Sequence, residues 1–430
     1  MVASDDLLLS SFLKSLVETF AIKVWDKMIM IMFNTYSCHI LIIVFKCVIR
    51  ISLATVQLCL LLFLIVFVLL PIIFRYSITL QRGILFLTFI TYPKDLDLTK
   101  PASVGLFGTR NFYVTIKDID VEEEDGVQIG VWHVLPLNLT KRFAKELQLD
   151  KAIVEELQNV TDEEDDEHFK KVEPILRTEF STITTQNERL FYERLLKLPG
   201  TVVLYLHGNT ASRGSGHRVD IYKVLRKLGY QVISLDYRGY GDSDAVSPTE
   251  EGVVKDALGV YQYIANITSN PIIIWGHSLG TGVATNLCAQ LNALNDKRVR
   301  GVILESPFTN IRDEIRKHPF ARPFKDLPWF DFTIAHPMYA NSLRFESDQH
   351  ISEFRQPVMI LHAEDDYVVP FQLGYKLYRT ALDTRGKSWG PVEFHRFDGA
   401  LKYGHKYLCR APELPGLIQH FVENYRNEVF

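Results

Sequence analysis

The sequence predicts an α/β protein: a mainly parallel, doubly wound sheet carrying a cap insertion, preceded by a transmembrane helix. Three observations carry this reading. From Thr201 onward, short runs of β-branched and aromatic residues alternate with stretches of helical apolar spacing. Inside that alternation, Gly276-His277-Ser278-Leu279-Gly280 lies between a short apolar run, Pro271–Trp275, and a helical stretch, Thr281–Gln290. Far upstream, Ile51–Phe74 is almost wholly apolar and uncharged. As a helix it is about 36 Å long, enough for a hydrocarbon core of about 30 Å.

The elements follow in order. Met28–Val48 is a second hydrophobic stretch, but Asn34, His39 and Lys46 interrupt it, so residues 1–50 read as an N-terminal segment with an interfacial part. Ile51–Phe74 is too long and too far from Met1 for a signal peptide. A domain is expected over 105–430. Asn111–Lys117 and Val127–Val134 alternate like half-buried strands, with Glu122–Gly126 as a hairpin turn. Residues 137–198 are polar and include the acidic run Thr161–Glu167, which reads as a solvated, partly helical insertion. Strand Thr201–Leu206, helix His217–Leu228 closed by Gly229, and strand Tyr230–Leu235 come next. Ser247-Pro248-Thr249-Glu250 has the pattern of a capping box with proline at the first helical position, opening a helix to about Ile267. Strands are expected at Val299–Leu304, Pro357–Leu361 and Val392–Phe397, and helices at Phe371–Leu382 and Pro412–Asn427. The stretch 307–356 breaks the alternation with many prolines and aromatics and reads as a cap over an apolar pocket.

Composition narrows the function classes. The net charge of -4 and the lack of a basic stripe argue against nucleic-acid binding. Cys38, Cys47, Cys59, Cys288 and Cys409 have no zinc-site or disulfide-framework spacing. No metal-ligand pattern and no phosphate-binding loop occur, because Asp236–Ser243 lacks a following Gly-Lys-Ser/Thr, so neither metal nor cofactor is expected. Sequons at Asn138, Asn159 and Asn266 are possible glycosylation sites and lean towards a lumenal domain. The basic residues around Ile51–Phe74 do not set an orientation.

A serine between two glycines, at a strand-to-helix turn, suits a nucleophile held with its hydroxyl exposed. The hydroxyl needs a base, and the base needs a carboxylate to orient it. With Ser278 as nucleophile, the acid belongs on the turn after a later strand, where Asp365 and Asp366 both qualify. The base belongs in a loop after the last strand, where His405 follows the permissive Gly404. His395 lies within a strand and reads as structural, while His362, His277 and His217 are out of order. Backbone donors for a developing oxyanion are expected at Leu279 and at Asn209, with Thr210 as the alternative.

His207-Gly-Asn-Thr210, Asp236–Ser243, Gly276–Gly280, His362–Asp366 and Gly404-His405 together resemble the serine α/β-hydrolases. More narrowly, the chain from about Asn111 onward resembles the α/β-hydrolase-domain protein twelve family of membrane lysophosphatidylserine and monoacylglycerol lipases. The resemblance implies an α/β-hydrolase fold, Ser278 as nucleophile, Asp366 as acid and His405 as base. It implies a lipid ester as substrate and an endoplasmic-reticulum membrane protein with a lumenal catalytic domain, anchored through Ile51–Phe74. Two alternatives stand beside it: a protein depalmitoylating thioesterase, and a non-catalytic hydrolase-fold scaffold.

Overall fold

The computed structural model describes residues 21–24, 37–118, 126–158 and 187–430. The chain divides into two compact units, Met1–Leu70 and Pro71–Phe430. The described part of the first is mainly the helix Ser37–Leu64, continuous with the π-turn Ile65–Leu69. Among the described residues, Val44–Tyr76 is the one helix long and apolar enough to cross a bilayer, and it extends beyond the expected span Ile51–Phe74 at both ends. Of the stretch Met28–Val48, read as interfacial, residues 37–48 lie in the helix Ser37–Leu64 and 28–36 lie outside the described residues.

The second unit is built on an eight-stranded sheet: β1 Thr109–Ile116, β2 Val127–Val134, β3 Val202–Leu206, β4 Gln231–Leu235, β5 Ile272–His277, β6 Val299–Glu305, β7 Val358–Ala363 and β8 Val392–Phe397. Their order is β1-β2-β4-β3-β5-β6-β7-β8. The first two strands run antiparallel to their neighbours; β4 through β8 are parallel. β1 and β2 pair from Ile116↔Val127 to Thr109↔Val134, and the acidic turn expected between them lies outside the described residues.

Strand alternation builds both cores. Val202, Leu204 and Leu206 of β3 point to one face with Ile272 and Ile274 of β5, while Val203, Tyr205, Ile273 and Trp275 point to the other. Helices Glu250–Ile267, Leu279–Ala293 and Phe371–Thr384 cover the first face, and Gly216–Lys227 and Leu414–Tyr425 the second. A parallel sheet covered on both sides needs these uninterrupted apolar runs, which is why the central strands were legible.

Two expectations change. The helix after β4 starts at Glu250, and its cap is Thr249, whose hydroxyl accepts from the Gly252 amide at 2.9 Å. Ser247 and Pro248 therefore precede the helix, and Glu250 instead accepts from the amides of Arg344 and Phe345 at 2.5 and 2.9 Å. The 137–198 insertion is not solvated at its ends. Leu139 and Phe143 pack with Phe191, Tyr192 and Leu195 in a small core of their own, and 159–186 lie outside the described residues.

Candidate active site

The sheet reverses its winding at β3, which lies between β4 and β5, and loops leaving the C-terminal strand ends there open a crevice. Ser278 caps the helix Leu279–Ala293 directly after β5, with φ 53° and ψ -120°. A non-glycine residue persists there only when its surroundings force it. Its amide donates to the Glu305 carbonyl of the neighbouring strand at 2.9 Å. The flanking glycines are required by contact: a Cβ at Gly276 would overlap the Gly280 carbonyl, and one at Gly280 would overlap the Leu206 carbonyl of β3.

Asp366 follows β7 and His405 follows β8, and the structure brings both to Ser278. His405 Nε2 lies 2.9 Å from Ser278 Oγ, and His405 Nδ1 lies 2.7 Å from Asp366 Oδ2. The other Asp366 oxygen accepts from the amides of Val368 and Val369, both at 3.0 Å. Burial alone would raise the Asp366 pKa, but the charge of His405 and hydrogen bonds from His362 and His405 outweigh it and hold the carboxyl well below the usual range. A permanently ionised carboxylate thus faces Nδ1, which keeps the proton on that nitrogen and leaves Nε2 free to accept from the serine.

Comparison with known proteins follows the same line. A family model described as alpha/beta hydrolase fold matches residues 201–330. Lysophosphatidylserine lipase ABHD12 of Danio rerio is 38% identical over 83% of this chain and 81% of its own length. The protein of that name in Mus musculus is 37% identical over 83% of this chain and 77% of its own. The chain belongs to the ABHD12 family. Protein ABHD12B of Homo sapiens is 30% identical over 79% of each chain. A solved esterase of Pyrococcus furiosus matches with a TM-score of 0.48 and 14% identity, covering 78% of this chain and 97% of that one.

In this ABHD12-family chain the loop after β3 lies directly over Ser278: a Cβ at Gly208 would sit 3.0 Å from the serine Cβ. Arg218, fully buried, gathers the loop's carbonyls, donating to Gly208, Asn209, Thr210 and Ser212 at 2.6–3.3 Å. Turning those carbonyls to the guanidinium frees the opposite side of the loop for amides. The Thr210 amide donates to Phe86 O and the Ala211 amide to Ile90 O. Among the described residues the Asn209 amide donates to nothing, and Leu279, at the start of its helix, has no intrahelical acceptor. His207 stays within the loop, its Nδ1 2.6 Å from Gly208 O and its Nε2 3.3 Å from Asp236. Asp236 and Asp242 of the glycine-rich loop both pair with buried Arg213, tying the loops after β3 and β4 together.

Asp365, the rival acid, points elsewhere. Both its oxygens lie 3.0 Å from the Gly404 amide, so it grips the backbone just before the base. On the other side of the base, His277 Nε2 lies 2.9 Å from the His405 carbonyl. Burial, then the charge of His405, keeps His277 neutral by pushing its pKa well down. His362 Nε2 lies 3.0 Å from Val369 O and 3.5 Å from Asp366 Oδ2, beside that carboxylate, whereas His395 pairs with Glu393 at 3.2 Å. His217 stacks edge-on to His277 and is held neutral by burial and by Arg218.

Several contributing residues carried no sequence signal. Arg218 and His277 act through carbonyls that only the fold brings near. Two further buried carboxyls feel the charge of Asp366. Glu305, at the end of β6, receives the Trp275 indole at 3.0 Å, and burial together with the Asp366 charge pushes it up to about 7. Glu314, in the helix Ile311–Lys317, has Oε2 buried with no partner among the described residues. Burial, then Asp366, pushes Glu314 up to about 8. His318, just past the end of the same helix, is lowered by burial and by the charge of His405. Within the stretch 307–356, Ala321, Phe330 and Ala335 form a small core of their own.

Proposed function

We propose that this chain is a membrane-anchored serine hydrolase that cleaves lipid esters, lysophosphatidylserine and monoacylglycerols, through an acyl-enzyme on Ser278. The observation that carries the reading is the continuous relay from Ser278 Oγ to His405 at 2.9 Å and from His405 to Asp366 at 2.7 Å. The relatives' shared name, lysophosphatidylserine lipase, supplies the substrate class.

In the proposed mechanism His405 Nε2 takes the Ser278 proton as Oγ attacks the ester carbonyl, and Asp366 stabilises the resulting imidazolium. The carbonyl oxygen becomes an oxyanion that accepts from the amides of Leu279 and Asn209, which need no reorganisation because Arg218 and the helix start already aim them. The imidazolium then protonates the departing glycerol or glycerophospho alcohol. Water, deprotonated by His405, attacks the acyl-serine, and the fatty acid leaves with Ser278 restored. Stretch 307–356 acts as the cap that shields this step from bulk water.

Val44–Tyr76 serves as the anchor, the one such helix among the described residues, keeping the site beside a bilayer-borne substrate. We place the protein in the endoplasmic-reticulum membrane with residues 71–430 lumenal. Exposed Asn138 and Asn266 are compatible with glycosylation there; Asn159 lies outside the described residues. A thioesterase acting on cytosolic acyl-proteins and a non-catalytic scaffold are not favoured, given the relatives' names and the complete relay. Ser278→Ala should abolish lysophosphatidylserine hydrolysis and fluorophosphonate labelling in washed membranes. Retained hydrolysis sinks the assignment. A mobility shift on endoglycosidase treatment, lost in Asn138→Gln with Asn266→Gln and Asn159→Gln, tests the orientation.

A further inference from the structure

The segment that leaves the apolar helix is part of the site's scaffold. Helix Ile78–Phe86 is capped by Ser77 and turns its inner side to the domain, with Gln81, Leu85 and Phe86 buried. Gln81 donates to the carbonyls of Phe74 and Arg75 at 2.8 and 3.1 Å and accepts from Asn341 of the cap stretch at 2.7 Å. Phe86 packs edge-on against Phe345, also of that stretch, with ring centroids 6.2 Å apart. The segment's carbonyls then receive the loop after β3, residue by residue. Leu85 O accepts from the Asn209 side chain at 3.3 Å, Phe86 O from the Thr210 amide at 3.4 Å, and Ile90 O from the Ala211 amide at 2.8 Å. Tyr92 O accepts from Ser215 at 3.1 Å. These bonds occupy the neighbouring amides and leave Asn209's free.

The outer side of the same segment is unpartnered and apolar. Tyr76, Phe89 and Tyr92 are each at least 70% exposed, and Ile84 is half exposed. Arg75 crosses to the cap ring of Phe332, itself 55% exposed, with its guanidinium 3.7 Å from the ring centroid. From Pro71 to Lys94 there is no acidic residue, while Arg75, Arg82 and Lys94 are basic. Exposed aromatics mixed with cations, and no anions, match the boundary between lipid tails and anionic head groups. Isolated exposed apolar side chains are ordinary, but here they are clustered on one short segment continuous with a bilayer-length helix.

We propose that residues 76–92, with Phe332 of the cap, form a docking surface for the bilayer, and that this surface carries the loop holding Asn209 on its inner side. The occupant is the lipid surface with its anionic head groups. The proposal rests on the reading of Val44–Tyr76 as the anchor. Its consequence is that the entrance to the site is held at lipid level, so that a single-chain ester moves from the bilayer to Ser278 without crossing open water.

The test uses the full chain with Cys38, Cys47 and Cys59 changed to serine. A single label is placed at Phe89→Cys or, as control, at Leu382→Cys, an exposed position on helix Phe371–Thr384. In phosphatidylcholine–phosphatidylserine vesicles, a nitroxide-bearing lipid should quench the Phe89 probe several-fold more than the Leu382 probe. Equal quenching overturns the proposal. Alkaline extraction of the same vesicles reports the anchor separately: a protein that is extracted yet quenched at Phe89 removes the anchor reading and keeps the docking surface. In kinetics, Phe89→Glu should lower turnover of a vesicle-borne monoacylglycerol at least fivefold relative to a soluble short-chain ester. Equal effects on both substrates also overturn it.

Discussion

Replacing Asp366 by asparagine separates the two adjacent aspartates most sharply. Asp366 Oδ1 accepts from two amides, Val368 and Val369, so an asparagine must keep its oxygen there. Its amide nitrogen then occupies the Oδ2 position, 2.7 Å from His405 Nδ1. An N–H facing Nδ1 turns that nitrogen into an acceptor and moves the imidazole proton to Nε2, the atom 2.9 Å from Ser278 Oγ. A base already protonated at Nε2 cannot take the serine proton, and the imidazolium also loses its counter-charge. A wrong tautomer of this kind costs about 10³–10⁴ in kcat, or roughly 4–5.5 kcal/mol of barrier. The fold should survive, because both amide bonds are retained. The assay is kcat and KM on lysophosphatidylserine in mixed micelles, at matched protein levels, together with the rate of fluorophosphonate labelling. If Asp366→Asn stays within tenfold of the parent while Asp365→Asn falls a thousandfold, the roles of the two residues are exchanged and the argument is wrong.

Asp365→Ala should lower kcat about tenfold with KM nearly unchanged, because one charge-assisted hydrogen bond to the Gly404 amide is worth about 1.5 kcal/mol. Asp365→Asn, which can still accept, should recover most of the loss. Gly280→Ala should give no labelled, folded protein in cell membranes, since its Cβ would overlap the backbone of β3. Fluorophosphonate-labelled Gly280→Ala in cell membranes, at the parent's level, would contradict the packing described. Glu305 makes stability pH-dependent: its pKa is raised on folding from 4.5 to about 7, so the unfolded chain releases the proton first as pH rises. The contribution is therefore fully present below about 4.5 and lost through about 7, roughly 3 kcal/mol in all. Glu305→Gln keeps an acceptor for Trp275 and should narrow the difference in thermal midpoint between pH 5 and pH 8; an unchanged difference would contradict the assignment.

Much of this protein was legible in one dimension. The central strands are long apolar runs because both sheet faces are buried, and the turn at Ser278 announces itself because only glycine fits at Gly276 and Gly280. The order serine, acid, histidine along the chain matches loops leaving the same sheet edge, and the structure brings Ser278, Asp366 and His405 within hydrogen-bond distance of one another. What the sequence could not decide was direction. Asp365 and Asp366 are neighbours of the same chemistry, and only the path of the turn after β7 sends one side chain to the imidazole and the other to Gly404. Asn209 and Thr210 differ likewise through the carbonyls of Phe86 and Ile90, more than a hundred residues away, which engage the amides following Asn209. The helix start moved from the capping-box serine to Thr249 because Glu250 binds the cap backbone instead. Patterns that depend on steric limits or periodicity are local and readable. The choice among equivalent polar groups depends on hydrogen bonds between distant segments, which exist only once the sheet has brought them together.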